Sequence, residues 1–210
     1  MFGIHNYWLF IVSGLLLNFT PGQDTLYIVG RSVSQGRRAG VLSVLGISTG
    51  CLVHTLAAAF GLSAVLAASS RAFMVVKFIG AAYLVYLGFQ MVLSRASAPR
   101  QLTTGQPARG WMIYRQGILT NVLNPKVALF FLAFLPQFIE SDSNTKVVAF
   151  LILGLTFIFN GTIWCMLVVW FSSVFSQRLR QRHSMESWLK RAAGALFVGL
   201  GLKIALEKTC

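Results

Sequence analysis

The stretch Asn18-Phe19-Thr20-Pro21-Gly22-Gln23-Asp24 places a helix break and an acid inside a run that otherwise reads as membrane-buried. From Tyr7 to Val33 the only charged side chains are Asp24 and Arg31. Pro21 removes a backbone donor just where Gly22 loosens the chain. In hydrocarbon, a freed carbonyl or an ionised carboxylate is tolerated only where it faces protein or a water-filled cavity. The stretch is therefore a candidate binding site. A second one, Asn121-Val122-Leu123-Asn124-Pro125-Lys126, lies in the other half of the chain.

Working outward, the 210 residues are 56% hydrophobic and 11% charged, a balance that sets aside a soluble domain and points to an all-α, polytopic membrane protein. Six segments are long enough to cross a bilayer: Tyr7 to Val33, broken at Pro21; Val41 to Ala67; Phe73 to Leu93; Gly117 to Phe138; Val147 to Phe175; and Trp188 to Leu206. No Lys or Arg precedes the first apolar run and no small-residue cleavage site follows it, so it reads as an uncleaved span. The net charge of +13 is a topology signal, not a nucleic-acid signal. One side collects Arg31, Arg37 and Arg38, then Arg95, Arg100, Arg109 and Arg115, then Arg178, Arg180, Arg182, Lys190 and Arg191. The other collects Arg71, Lys146, Lys208 and the acids Glu140 and Asp142. The expected orientation has the basic loops in the cytoplasm and both termini in the periplasm.

The halves resemble each other. Lys77-Phe78-Ile79-Gly80-Ala81-Ala82-Tyr83 matches Arg191-Ala192-Ala193-Gly194-Ala195-Leu196-Phe197, and Gly14, Asn18 and Pro21 are echoed by Gly117, Asn121 and Pro125. The chain thus divides into a first three-helix repeat (1–93), a cytoplasmic connector (94–110) and a second three-helix repeat (111–210). An odd number of spans per repeat turns the second copy upside down, the inverted plan of many secondary transporters, with the first and fourth helices broken at proline. Glycines at Gly36 and Gly40, Gly46 and Gly50, and Gly194, Gly199 and Gly201 read as points of close helix approach.

In such transporters the site forms where broken helices of both repeats meet. An ammonium would find an acceptor at Asp24 and a carboxylate a donor at Lys126, with amides from Asn18, Gln23, Asn121 and Asn124 and a hydroxyl from Thr20. One charge of each sign suits an amino acid better than a sugar. The alternatives are that Asp24 and Lys126 only pair with each other, or that Lys126 extends to the interface. Asp24 is the candidate proton carrier. His54, midway along the second segment, reads either as a relay for the proton or as a hydrogen-bond partner of a neighbouring helix. Asn160 reads as packing glue, and the aromatics as mainly lipid-facing or interfacial, as at Tyr7, Trp8, Trp111 and Trp188. No phosphate-binding loop, nucleophile elbow or His-x-x-x-His pair is present, so no enzyme, cofactor or metal site is expected.

The combination of Thr20-Pro21-Gly22-Gln23-Asp24, the Gly36-Arg37-Arg38-Ala39-Gly40 turn, Gly46 to Gly50 followed by His54, and Asn124-Pro125-Lys126 leading into Phe130-Phe131-Leu132-Ala133-Phe134-Leu135-Pro136-Gln137-Phe138 resembles the LysE/RhtB family of bacterial amino acid exporters, of the threonine/homoserine and leucine efflux type. The resemblance covers nearly the whole chain. It implies export of small neutral or hydrophilic amino acids across the inner membrane, in exchange for protons. The family usually has Pro-Gly-Pro at the first break, where this chain has Gln23 in place of the second proline. Competing readings are an intramembrane thiol redox carrier using Cys51 and Cys165, neither of which adjoins a proline break in sequence, a metal-ion exporter, and an accessory subunit. A homodimer is an expected assembly for so small a bundle.

Overall fold

The computed structural model describes residues 2–64, 109–140 and 143–172, with isolated helical positions at Val75, Phe78, Ala82, Val85, Tyr86, Phe89, Arg191, Ala195, Val198, Gly199 and Leu202. The expected third and sixth spans, the two matching stretches 77–83 and 191–197 taken as whole segments, the connector through residue 108 and Cys210 lie outside the described residues.

The described residues are helical, with one isolated bridge between Ile4 and Ile139. Helix α1 (Tyr7–Phe19) stops two residues before Pro21, and α2 (Gln23–Gln35) restarts after Gly22. Gly36, at a φ of 84°, makes a turn that a side chain would strain. Helix α3 (Arg37–Leu56) follows at once and continues through a π-helical turn over Ala57–Leu62. Helix α4 (Gly110–Val122) begins seven residues before the expected Gly117, because Ile113, Gly117 and Asn121 form one buried face at four-residue spacing. After a second break, α5 (Pro125–Leu129) leads into a π turn over Phe130–Phe134 and a 3-10 turn over Leu135–Phe138. Pro136, which has no N–H to donate, sits in this loosened stretch. Helix α6 covers Lys146–Trp170, and the expected end of this span at Phe175 lies outside the described residues.

Arg37–Leu62 and Lys146–Trp170 are each long and apolar enough to cross a membrane, and Gly110–Val122 with Pro125–Phe138 forms a third candidate span bent by 47°. The 25 residues of α6 reach ~38 Å at 1.5 Å per residue, beyond the ~30 Å hydrocarbon core. Helix α1 is apolar but has only 13 residues.

Glycines set the packing directions. A Cβ on Gly46 would lie 2.3 Å from the Tyr114 carbonyl oxygen, one on Gly117 would lie 3.0 Å from the Ser43 oxygen, and one on Gly50 would lie 2.8 Å from the Asn121 Cβ. The rising register makes α3 and α4 parallel, in backbone contact. Helices α3 and α6 are antiparallel: Gly40 meets Val169, Ser48 bonds Thr162 and Gly154 meets Thr55. Gly36 differs from the expectation of close approach, since nothing lies within 4 Å of its Cβ position.

The phenylalanines correct the lipid-facing expectation. Phe10, Phe130, Phe134, Phe138 and Phe150 are fully buried and, with Phe131 and Phe157, form the main core. Edge and stacked contacts of 4.7 to 6.3 Å between centroids join Phe10, Phe130, Phe134 and Phe138. Trp8 and Trp111 face outward as read, 79% and 66% exposed, while Trp188 lies outside the described residues. Since α3 and α4 are parallel, Arg37, Arg38 and Arg109 share one end of the bundle. The chain start lies at the other, where the His5 N–H donates to Phe138 O at 3.0 Å and the Glu140 N–H to Gly3 O at 2.8 Å.

Gly46→Ala drives a methyl into backbone that cannot swing aside, so a destabilisation of about 1–3 kcal/mol is expected. Gly61→Ala enters open space and leaves stability unchanged. Thermal midpoints of the two purified variants in detergent check the pair.

Candidate functional site

Each proline strips one carbonyl of its helical donor, four residues earlier in the chain. For Pro21 that carbonyl is Leu17 O, and Lys126 Nζ donates to it at 2.8 Å and to Thr20 O at 2.9 Å. For Pro125 it is Asn121 O, which accepts from the Asn124 N–H at 3.0 Å and from His54 Nε2 at 3.2 Å. The two breaks are thus completed by side chains from the opposite halves.

Between the breaks is a cavity of about 60 Å³, room for about four waters. Asn18, Thr20, Gly22, Asp24, Asn121, Asn124 and Lys126 line it, so most of the expected site is brought together. Asp24, in the first turn of α2, sits at the end of a helix that favours a carboxylate. Its Oδ2 accepts from Asn121 Nδ2 at 2.9 Å, while its Oδ1 is buried with no protein hydrogen-bond partner. The Lys126 ammonium sits at the carbonyl end of α1, which favours a cation. Asn124 is the N-cap of α5, accepting from the Lys126 N–H at 3.1 Å, with Pro125 as the first helical residue.

Three expectations change. Gln23 is exposed and absent from the cavity lining, because adjacent residues on α2 point about 100° apart and Asp24 takes the inward direction. The Thr20 hydroxyl donates to Leu16 O at 2.8 Å in its own helix, leaving it only acceptor capacity toward a ligand. Cys51 and Cys165 both line the cavity despite their distance in sequence from the prolines. His54 lies off the cavity wall, bonded to α4 and stacked on Phe131 at 5.8 Å.

Sequence reasoning missed Ser48, Phe157, Gly161 and Thr162. The signal was a stripe: Ser48 and Cys51 on α3, and Ile158, Gly161, Thr162 and Cys165 on α6, recur at three- and four-residue spacing and form one face of each helix. Gly161 brings α6 against Asn18, whose amide would meet a Cβ there at 3.3 Å.

Apolar helices of spanning length around a small interior cavity define a helical membrane protein with a candidate site between its helix breaks. The family model of the LysE type translocator matches residues 15–208, and the chain belongs to that family of transporters, which are not enzymes. Similar proteins include an "Uncharacterized membrane protein YrhP" of Bacillus subtilis strain 168, 27% identical over 97% of this chain and 100% of its own length. An "Uncharacterized membrane protein" of Vibrio cholerae is 28% identical over 98% of both chains, and a "Leucine efflux protein" of Enterobacter sp. strain 638 is 25% identical over 97% of both. No solved structure matches the chain.

His54→Gln keeps a donor for Asn121 O and is expected to leave stability and transport intact, whereas His54→Leu loses on the order of 1 kcal/mol. Lys126→Met strips two carbonyls and is expected to lower stability by about 2 kcal/mol or more. Thermal midpoints of the purified variants, read beside transport, separate these bonds from any part in moving a proton.

Proposed function

We propose that the chain is a secondary transporter that exports small neutral amino acids from the cytoplasm in exchange for protons, with its site in the cavity between the two helix breaks. The observation that carries this is Asp24, a carboxylate with one buried oxygen unbonded to protein, facing a cavity whose other walls are short polar and apolar side chains. A substrate ammonium and a proton compete for that carboxylate, so only one occupies it at a time. Mutual exclusion at one acidic group gives antiport when the empty site does not change sides. The name of the Enterobacter relative supports leucine and its small neutral neighbours as cargo.

The contacts of the two halves support the inverted-repeat plan. Helix α1 lies antiparallel to the Pro125–Phe138 arm, with Lys126 near Leu17 and Phe138 near His5. Exchanging the halves converts that pair into α4 and α2, which are also antiparallel: Asn121 meets Asp24, and Gln116 meets Arg31. Alternating access then consists of parting one pair while the other stays closed. The end that carries Arg37, Arg38 and Arg109 is the cytoplasmic one and the chain start is periplasmic, in an inner membrane.

Thiol redox transfer is the second reading, favoured by the meeting of Cys51 and Cys165 at the cavity.

Cells loaded with amino acids through dipeptides test the proposal. Efflux of leucine or a related neutral amino acid is expected from cells carrying the wild type, and Asp24→Asn should reduce it by about tenfold or more, the value of one charge-assisted hydrogen bond. The Cys51→Ser, Cys165→Ser double variant should retain it. Efflux unchanged in Asp24→Asn removes the carboxylate from the mechanism, and activity lost only in the cysteine variant moves the protein to the thiol reading.

A further inference from the structure

Four buried side-chain polar atoms lack a protein hydrogen-bond partner among the described residues: Ser13 Oγ, Asn18 Nδ2, Asp24 Oδ1 and Asn121 Oδ1. The last three belong to residues that line the cavity. Buried polar atoms are rarely left unsatisfied, so an occupant of this cavity is selected by what it offers them. Two of the three are acceptors. The bond from Asn121 Nδ2 to Asp24 Oδ2 spends the nitrogen end of the amide, and its oxygen lies 3.0 Å from the Cβ position of Gly50 on α3. Asn121 is only 2% exposed, so that oxygen has little recourse to bulk water. The one unsatisfied donor, on Asn18, comes from α1.

The charges point the same way. Lys126, the cation that a substrate carboxylate would need, has its ammonium on two carbonyls of the α1 end. The anion has a vacant oxygen and the cation is engaged. Leu17, Ile47, Val127, Phe157 and Ile158 supply the apolar wall for a short aliphatic group.

We propose that the cavity is a primary-ammonium site: Asp24 Oδ1 takes an N–H donor of a ligand ammonium, and Asn18 Nδ2 offers a carboxylate one secondary contact. The ligand class is wider than amino acids. It includes amino acid amides and short aliphatic primary amines, and it excludes α-hydroxy acids that keep the carboxylate and lose the ammonium. The inference rests on reading the cavity as the substrate site, but not on the direction of transport or its coupling.

Binding to the purified full-length protein in detergent tests it, by thermal shift and by Kd, with leucine, leucinamide, isoamylamine and α-hydroxyisocaproate as probes. Leucinamide and isoamylamine are expected to stabilise the wild type and α-hydroxyisocaproate to have no effect. Asp24→Asn, which keeps an acceptor for Asn121 and so preserves the fold, should weaken both amines by about tenfold or more. Asn18→Ala should weaken leucine and spare isoamylamine. Stabilisation by α-hydroxyisocaproate with none by the amines overturns the inference, as does amine binding indifferent to Asp24, or no binding of either amine. The two readings fail separately. Amine binding that depends on Asp24, in a protein that moves no amino acid from loaded cells, leaves the ammonium site standing and removes the exporter. Amino acid efflux without amine binding does the reverse.

Discussion

The architecture depends on two carbonyl oxygens that prolines leave without helical donors. In water such groups would be solvated at little cost, but in a bilayer each must find a donor within the protein. Leu17 O finds the Lys126 ammonium and Asn121 O finds His54, so each break is completed by a residue from the other half. Moving the breaks apart therefore takes the Lys126 donor from Leu17 O, whereas Asn121 O keeps the Asn124 N–H. That requirement draws α1 to the Pro125–Phe138 arm and α4 to α3. It also gives the lysine and the histidine inside apolar segments a structural part.

Close approach makes those bonds geometrically possible. Gly46, Gly50 and Gly117 bring α3 and α4 into backbone contact, which places His54 within reach of a main-chain oxygen on α4. Gly161 lets α6 close over Asn18, and Phe157 packs against Gly14 in the same way. With helices this near, the space left between the breaks is narrow, and three of the four unpartnered buried polar atoms among the described residues belong to side chains that border it. Asp24 and Asn121 satisfy each other with one atom apiece and retain one.

The two ends of the bundle are held by different chemistry. Toward the chain start, α1 and the Pro125–Phe138 arm are joined by stacked phenylalanines and a short bridge at Ile4 and Ile139. Toward the arginines, α2 and α4 are joined by the Tyr27 hydroxyl donating to Ile113 O at 2.7 Å and by Arg31 donating to Gln116. Apolar contacts resist opening in proportion to area, whereas a few polar contacts can be exchanged for water one by one. A transporter that admits cargo from one side and releases it on the other has use for such an asymmetry.

The sequence by itself determined the helical class, the two proline breaks, the two long apolar spans at α3 and α6, and the gathering of Asp24, Asn121, Asn124 and Lys126 near one another, because proline geometry and the exclusion of unpaired polar groups from hydrocarbon act on local composition. Tertiary structure decided how each side chain is used. Lys126 reads in sequence as a ligand for a carboxylate and in the fold as the cap of α1, since only packing brings the Leu17 carbonyl within 2.8 Å. Gln23 and Asp24 are neighbours in the chain, yet helix rotation sends one outward and one to the cavity. The phenylalanines look interchangeable with lipid-facing residues until α1 is laid against the Pro125–Phe138 arm and covers them. Cys51 and Cys165 look unrelated to the breaks because an antiparallel crossing of α3 and α6, not sequence proximity, brings them to the cavity. An apolar helix in a membrane has no polar exterior to betray its inward face, so orientation there is settled by small residues and orphaned polar atoms that act only once the helices meet.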